Sequence, residues 1–550
     1  MDQQRPFLYL TLFFLGFLIW STWQQEHAPK PDKQISKTTS TQQSQSTITD
    51  NTIPSIIPAS TSVAGSVEVN NNEKLIHVKT DVLDLIISTT GGTIIQADLP
   101  SYPVSLDEKD KAIRVIDKNI GYVAQSGLLA EVVSRSDLAP NHYAKFNADK
   151  MEYILAEGQN ALNVPLVWNN GKGIQVVKTF HFERGKFLVT QQQKINNDSQ
   201  ENWLGSEYAQ LTHGDVKSKG SLLGGSAIAY VGAAYYHDKY IKVKFGDIED
   251  ENLKDEVTGG WLAMLQHYFI SAWIPEEGNK NNYYTIYDKD KTNYIIGVKS
   301  SLKTIPSGGS DTFVSKLYVG PTDQAALEKI SKGLDLTVDY GVFAFVSKPI
   351  FAVMNFINKH IVSNWGWTII LLTLFIKLVF LYPSAMSMKS MAKMKKLQPK
   401  IKAISEKYKN DPQGKQKATM DFYRKEKINP LGGCLPILIQ MPVFMGLYWV
   451  LQESVELRQA PWILWYKDLS IMDPYFVLPV IYGISMFVTQ KLNPPMVQDP
   501  MQQKIFMYLP LVFTVMFLFF PAGLVLYWVV NNILQIAQQW FINKKIIGDG

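Results

Sequence analysis

Cysteine is almost absent: Cys434 stands alone among 550 residues, which excludes an intramolecular disulfide and any disulfide-stapled fold. It sits in an apolar run, away from any base or metal cluster, and reads as a small buried hydrophobe. There is no phosphate-cradling glycine loop and no nucleophile motif. His142, His181, His213, His237 and His267 fall at no metal-ligand spacing and read as surface or packing residues, so neither a metal nor a cofactor is expected. Charge is sparse too. Charged residues make up 19% of the chain and the net charge is only +5, an uneven surplus that bears on membrane orientation more than on nucleic acid.

Long apolar runs are what the sequence does have, and residues 364–383, NWGWTIILLTLFIKLVFLYP, are the most informative. Trp and Tyr flank a run of Ile, Leu, Phe, Val and Thr, the composition of a membrane-spanning helix. Lys377 interrupts it. A charge at the bilayer centre costs about 2.5–3.5 kcal/mol on insertion scales, so intramembrane lysines usually face a protein interior or water. Tyr382 lies about 8 Å of helix rise further on, however, so snorkelling to the nearer surface is also open.

Residues 7–23 form an earlier apolar run behind Arg5. It ends in bulky Trp20 and Trp23 without a small-residue cleavage pattern, which predicts a retained anchor over 1–25 rather than a signal peptide, with the N-terminus cytoplasmic. A Ser-, Thr-, Gln- and Pro-rich linker follows over 26–65. From 66 to 340, short β-branched and aromatic runs such as KLIHVKT, DLIISTTGGTIIQADL and NYIIGVKS alternate with turn signals. They predict an antiparallel β-sandwich, soluble and periplasmic because it follows the anchor, with a closing helix near 323–332. Residues 341–363 are apolar but broken by Pro349 and the Asn364-Trp365-Gly366 step, which suggests an interfacial amphipathic helix.

Past Pro383 the chain turns basic. Lys395, Lys396, Lys400, Lys402, Lys407 and Lys409 stand out, and apolar residues recur at steps of three and four around an Asn410-Asp411-Pro412 turn. This predicts a cytoplasmic helical hairpin over 384–430, its lysines either simply solvated or docking anionic lipid or ribosomal RNA. Spans at 431–451, 475–490, 505–520 and 524–541 follow, within a helical region ending at 543, before a cytoplasmic tail over 544–550. The expected whole is a polytopic α-helical membrane protein: six transmembrane helices, a five-helix core and both termini in the cytoplasm.

Polar residues recur inside these spans. Gln440 lies at a depth comparable to Lys377, and Tyr527, Asn531, Gln535 and Gln538 follow at steps of four, four and three, a single helical stripe. Unpartnered amides facing hydrocarbon cost several kcal/mol, so the stripe faces protein or water. Interhelical hydrogen bonding is one account; convergence with Lys377 and Thr373 on a hydrated groove is the other.

The run KINPLGGCLPILIQMPVF, with VELRQAP, DPMQQK and PAGLVLYWVVNN, closely resembles the YidC family of membrane protein insertases, in its Gram-negative, inner-membrane branch. The resemblance implies a hydrophilic groove open to cytoplasm and lipid, with one positive charge at the position of Lys377. Most members carry arginine there; lysine keeps the charge and loses the planar fork. Thr373 matches the groove threonine, and Trp528 stands where the last span usually has a tyrosine, with Tyr527 beside it to supply a hydroxyl. Also implied are a periplasmic β-super-sandwich like that of sugar mutarotases, and a monomeric core acting without catalysis or nucleotide. The implied partners are nascent inner-membrane proteins, membrane lipids, the Sec translocon, and the ribosome and signal recognition particle pathway. Leu435, Met441, Phe444, Phe513 and Phe517 are candidates for an apolar slide along which a client helix leaves, or are simply lipid-facing. A small-solute transporter and a tethered carbohydrate-binding or mutarotase-like protein are the competing readings.

Overall fold

A computed structural model describes residues 73–131, 136–214, 231–408, 411–426, 435–492 and 500–547. The predicted anchor over 1–25 and the linker over 26–65 lie outside them.

Alternating hydrophobicity sets the strands. Leu75–Lys79 turns Ile76 and Val78 inward and leaves its odd-numbered residues exposed, and Ile174–Glu183 alternates the same way over ten residues. Among the described residues the strands form one eleven-stranded and one eight-stranded sheet. Trp203–Gly214 runs antiparallel between Val123–Ala130 and Asn293–Ser300 in the larger. Gly309–Pro321 runs between Phe269–Pro275 and Leu188–Asn197 in the smaller. Both sheets contribute to one core that includes Phe180, Leu211, Trp273 and Leu317, each such side chain stabilising by about 1.5–3 kcal/mol on burial.

That core also encloses charge. Lys178 is completely buried, and its ammonium donates to the Gly91 carbonyl at 2.7 Å and the Ser126 carbonyl at 3.0 Å. Burial pulls it down to about 7. Glu207, pushed up by burial, accepts at Oε1 from Gln193 at 2.8 Å and from Gln191 and Ser315 at 3.1 Å. Helix α1 (Phe245–Asp250) and helix α2 (Gln324–Ile330) complete the domain. The Asp323 carboxylate caps α2 by accepting from the Ala326 amide at 3.0 Å.

A helical bundle follows. Helix α3 (Ala344–His360) contains Pro349 without interruption, so the expected break there is corrected: the chain breaks only before Asn364. The reason is capping. The Asn364 side chain accepts from the Gly366 and Trp367 amides at 3.1 and 3.2 Å, starting α4 (Trp365–Val379). The segment expected to span over 364–383 is not one straight helix: α4 forms only its first part. It ends at Val379, and α5 (Leu381–Lys407) departs with a bend of 66°. Pro383 explains the bend, because it has no amide to continue the hydrogen-bond ladder and is tolerated in a first helical turn. Then come α6 (Pro412–Lys425), α7 (Leu435–Glu453), α8 (Val477–Leu492), α9 (Pro500–Phe517) and α10 (Ala522–Ile547).

Among the described residues, Gly341–His360 alone is long and apolar enough to cross a membrane, and Trp365–Val379 with Leu381–Met394 passes jointly across the bend. Length therefore does not separate a crossing helix from one lying at a surface. The contacts of α3 are more telling. Its buried face, Ile350, Phe351, Met354 and Ile357, joins the core shared with α4, α7 and α10. Ser347 donates to the Gly446 carbonyl at 3.0 Å. Gly446 allows that approach, since a Cβ there would lie 2.9 Å from Val346. At the other side, Lys348 pairs with Asp335 at 3.6 Å, at the base of the β-domain.

Candidate functional site

Helix α10 is the axis of the bundle, packing along α4, α5, α7 and α8. Its first turns are apolar and enclosed: Leu524, Val525 and Leu526 are buried. The polar stripe begins at Tyr527, which is fully buried and whose hydroxyl receives the Gln440 amide of α7. Asn531 is buried and Gln535 half-buried. Gln538 accepts from Ser384 of α5 at 3.3 Å, while its own amide nitrogen is buried without a partner among the described residues.

Two amides that look alike in sequence differ in role. Asn532, one step from the stripe, donates to Ser485 of α8 at 3.0 Å, and Ser485 in turn donates to the Tyr482 carbonyl at 2.7 Å. This is interhelical bonding of the plain kind. Ser384, Ser485 and Asn532 were not among the sequence candidates; the two serines, as polar residues beside or within apolar runs, were the available signal.

Thr373 is buried and its hydroxyl donates to the Ile369 carbonyl at 2.7 Å, one turn back on the same helix, so it lines α4 without offering a free donor. Lys377 lies in the last turn of α4 and is half-buried. Its ammonium has no ion pair or hydrogen bond among the described residues. The chain thus bends away three residues past this lysine, and α4 packs against the helix that carries the amides.

The apolar candidates divide. Met441 is 40% exposed, while Phe444 and Phe513 are half-buried. Phe444 sits 5.3 Å from the Trp528 ring. Phe517 is not on a surface: at 2% exposure it packs 4.5 Å from Tyr482 and 5.3 Å from Phe520. An apolar side chain in an apolar span carries no signal for which way it faces. Trp528, amid these rings, has a buried indole N–H without an acceptor among the described residues. The Leu435 and Lys395 side chains, and Lys409, lie outside the described residues. Lys396, Lys400, Lys402 and Lys407 are exposed on α5, with Lys400 4.0 Å from Glu426.

Comparison with known proteins decides what this arrangement belongs to. Residues 75–353 match the model of the YidC periplasmic domain, and residues 356–549 that of the 60Kd inner membrane protein. The membrane protein insertase YidC of Thioalkalivibrio sulfidiphilus is 46% identical over 559 residues, covering 99% of each chain. The chain belongs to the YidC family of membrane protein insertases. The YidC of Methylococcus capsulatus is 43% identical over 548 residues, again covering 99% of each chain. A solved structure of an active YidC insertase with its first transmembrane domain resolved matches with a TM-score of 0.38 at 20% identity, covering 85% of this chain and 92% of that one. The protein is accordingly a Gram-negative inner-membrane insertase with a YidC periplasmic domain, whose match takes in the β-rich half and the start of α3.

Proposed function

We propose that this insertase works through a hydrated groove walled by α4, α5, α7 and α10. Lys377 attracts the polar or acidic end of an incoming segment, and the Gln440, Tyr527, Asn531, Gln535 and Gln538 side chains replace its water. The distance it crosses through hydrocarbon is thereby shortened. Its apolar helix then passes along Met441, Phe444 and Phe513 into lipid, driven by burial worth about 25 cal/mol per Å² of apolar surface. The observation that carries this reading is the half-buried ammonium of Lys377, without a partner among the described residues, on a helix packed against α10, where the buried Gln538 amide nitrogen also has no partner among them.

In the same reading the chain has six spans with both termini in the cytoplasm, α3 lies at the outer interface, and no catalysis or nucleotide is involved. The helices α5 and α6 form a cytoplasmic hairpin whose exposed lysines dock lipid headgroups or the ribosome and signal recognition particle, and the core works alone or beside the Sec translocon. The deciding test is insertion of a small single-spanning client into proteoliposomes carrying the native chain, Lys377→Ala, Lys377→Glu or Lys377→Arg. Each variant's incorporation is checked. Ala and Glu are expected to lower insertion at least about tenfold, a loss of roughly 1.4 kcal/mol or more, while Arg retains it. Equal insertion by all four would remove charge attraction from the mechanism.

A further inference from the structure

The loop between α7 and α8 touches both halves of the molecule. On its inner side it covers one end of the bundle. Gly523 and Ala522, at the start of α10, donate to the Leu469 and Ile471 carbonyls at 2.9 and 2.7 Å. Trp462 lies directly over Gly366 at the start of α4, where a Cβ would come within 2.1 Å of the indole. Asp473, 1% exposed, gathers the Tyr466 hydroxyl at 3.0 Å and the Leu478 amide at 2.8 Å.

On its outer side the same loop holds the β-domain. The Arg458 guanidinium donates to the Pro103 and Val104 carbonyls at 2.7 and 3.1 Å and lies 5.8 Å from the Phe269 ring centroid. Gln459 adds a bond to the Pro103 carbonyl at 3.1 Å. His267 donates through Nε2 to the Gln452 carbonyl at 2.9 Å, and Tyr340 and Ser454 share a hydrogen bond at 3.2 Å. Backbone strain collects here: Gln459 and Tyr268 are held at φ of +55° and +69°, conformations that cost a non-glycine residue about 1–3 kcal/mol and persist only where the surroundings over-determine them.

We propose that Arg458, Gln459 and His267 form a fixed clamp through which the β-domain holds this loop down on the outer end of the bundle, making the domain a positioning element for the outer seal. Arg458 and Gln459 belong to the VELRQAP motif, for which groove chemistry gives no use. Arginine suits the place because its planar head donates to two carbonyls while lying near a ring; lysine can supply donors but not the plane. The proposal rests on the reading of the bundle as an insertase with a hydrated groove, to which it adds a seal at this end.

The test is hydrogen exchange of the full chain in proteoliposomes, read by mass spectrometry, for the native protein, Arg458→Ala, Arg458→Lys and His267→Ala. Arg458→Ala is expected to raise exchange about tenfold both at 100–105 and across 459–476, with Arg458→Lys in between. His267→Ala, a change in the other half of the molecule, is expected to loosen 459–476 as well. Leakage of a small entrapped anion should rise severalfold in the Ala variants. Unchanged exchange across 459–476 in both Ala variants, or a change confined to 100–105, overturns the clamp. Insertion measured on the same vesicles separates the two readings: if Lys377 proves dispensable while the exchange response persists, the groove fails and the clamp stands.

Discussion

Two lysines sit in apolar surroundings in this chain, and they are opposites. Lys178 lies in the β-domain core with its ammonium on two backbone carbonyls. Lys377 lies in the last turn of α4, half-buried and with no hydrogen bond or ion pair among the described residues. A buried charge is tolerated when hydrogen bonds replace its lost water. The first lysine meets that condition within its own domain; for the second, the proposed mechanism has the client meet it. The β-domain has thus closed its polar interior around structure, whereas the proposed mechanism needs part of the bundle's polar interior to stay available to a client.

Exchanging the roles of the two lysines should separate their effects. The largest effect belongs to Lys377→Glu, with insertion lowered at least about tenfold and the thermal stability of the β-domain unmoved. Lys178→Met should do the reverse. With the Gly91 and Ser126 carbonyls left unpaired, the β-domain should lose about 2–5 kcal/mol, measured by its unfolding transition, while insertion of a simple client changes little. A fall in insertion as large as that of Lys377→Glu would make the two regions one functional unit.

Smaller changes address the contact between the regions. Gly366→Leu drives a side chain into Trp462 and should cost the bundle about 1–3 kcal/mol by overpacking, read as a lowered melting temperature in detergent. The joint should also respond to pH. Burial, with Asp323 adding to it and Lys359 opposing, pushes the Glu456 carboxyl up to about 7. Its folded value is raised, so its contribution to docking is full below the ordinary 4.5 and is lost as pH climbs through about 7. His267, lowered by burial, contributes in the opposite sense and is lost as pH falls through its lowered value. Exchange across 459–476, corrected for its intrinsic pH dependence, should therefore rise about two- to threefold between roughly pH 6.5 and 8.5, and Glu456→Gln should flatten that rise. The smallest effect is expected of Thr373→Val. The threonine hydroxyl is bonded to its own helix, so insertion should change less than about twofold; a tenfold loss would mean the hydroxyl turns to the client.

Periodicity made most of the architecture legible. β-Branched and aromatic runs between turn signals marked Leu75–Lys79 and Asn293–Ser300 as strands, and apolar runs marked α4, α7, α8, α9 and α10. The stripe through Tyr527, Asn531, Gln535 and Gln538 was readable because a helix repeats every 3.6 residues and polar side chains are conspicuous in an apolar span. Phe517 was not readable. Interior and lipid select the same side chains, so its place against Tyr482 depends on which helix lies beside it. Nor was the bend after Val379, since a proline marks a possible break without giving its angle.

Composition and pattern by themselves determined that this chain has a β-rich half, an apolar helical half and a lysine inside a long apolar run, because each follows from the free energy of moving side chains out of water. Tertiary structure alone decided which polar groups are satisfied. Gln440 meets Tyr527 and Asn532 meets Ser485, Lys178 finds its carbonyls, and Arg458 reaches across 355 residues of sequence to Pro103. A hydrogen bond depends on distance and direction between particular atoms, which no one-dimensional pattern contains.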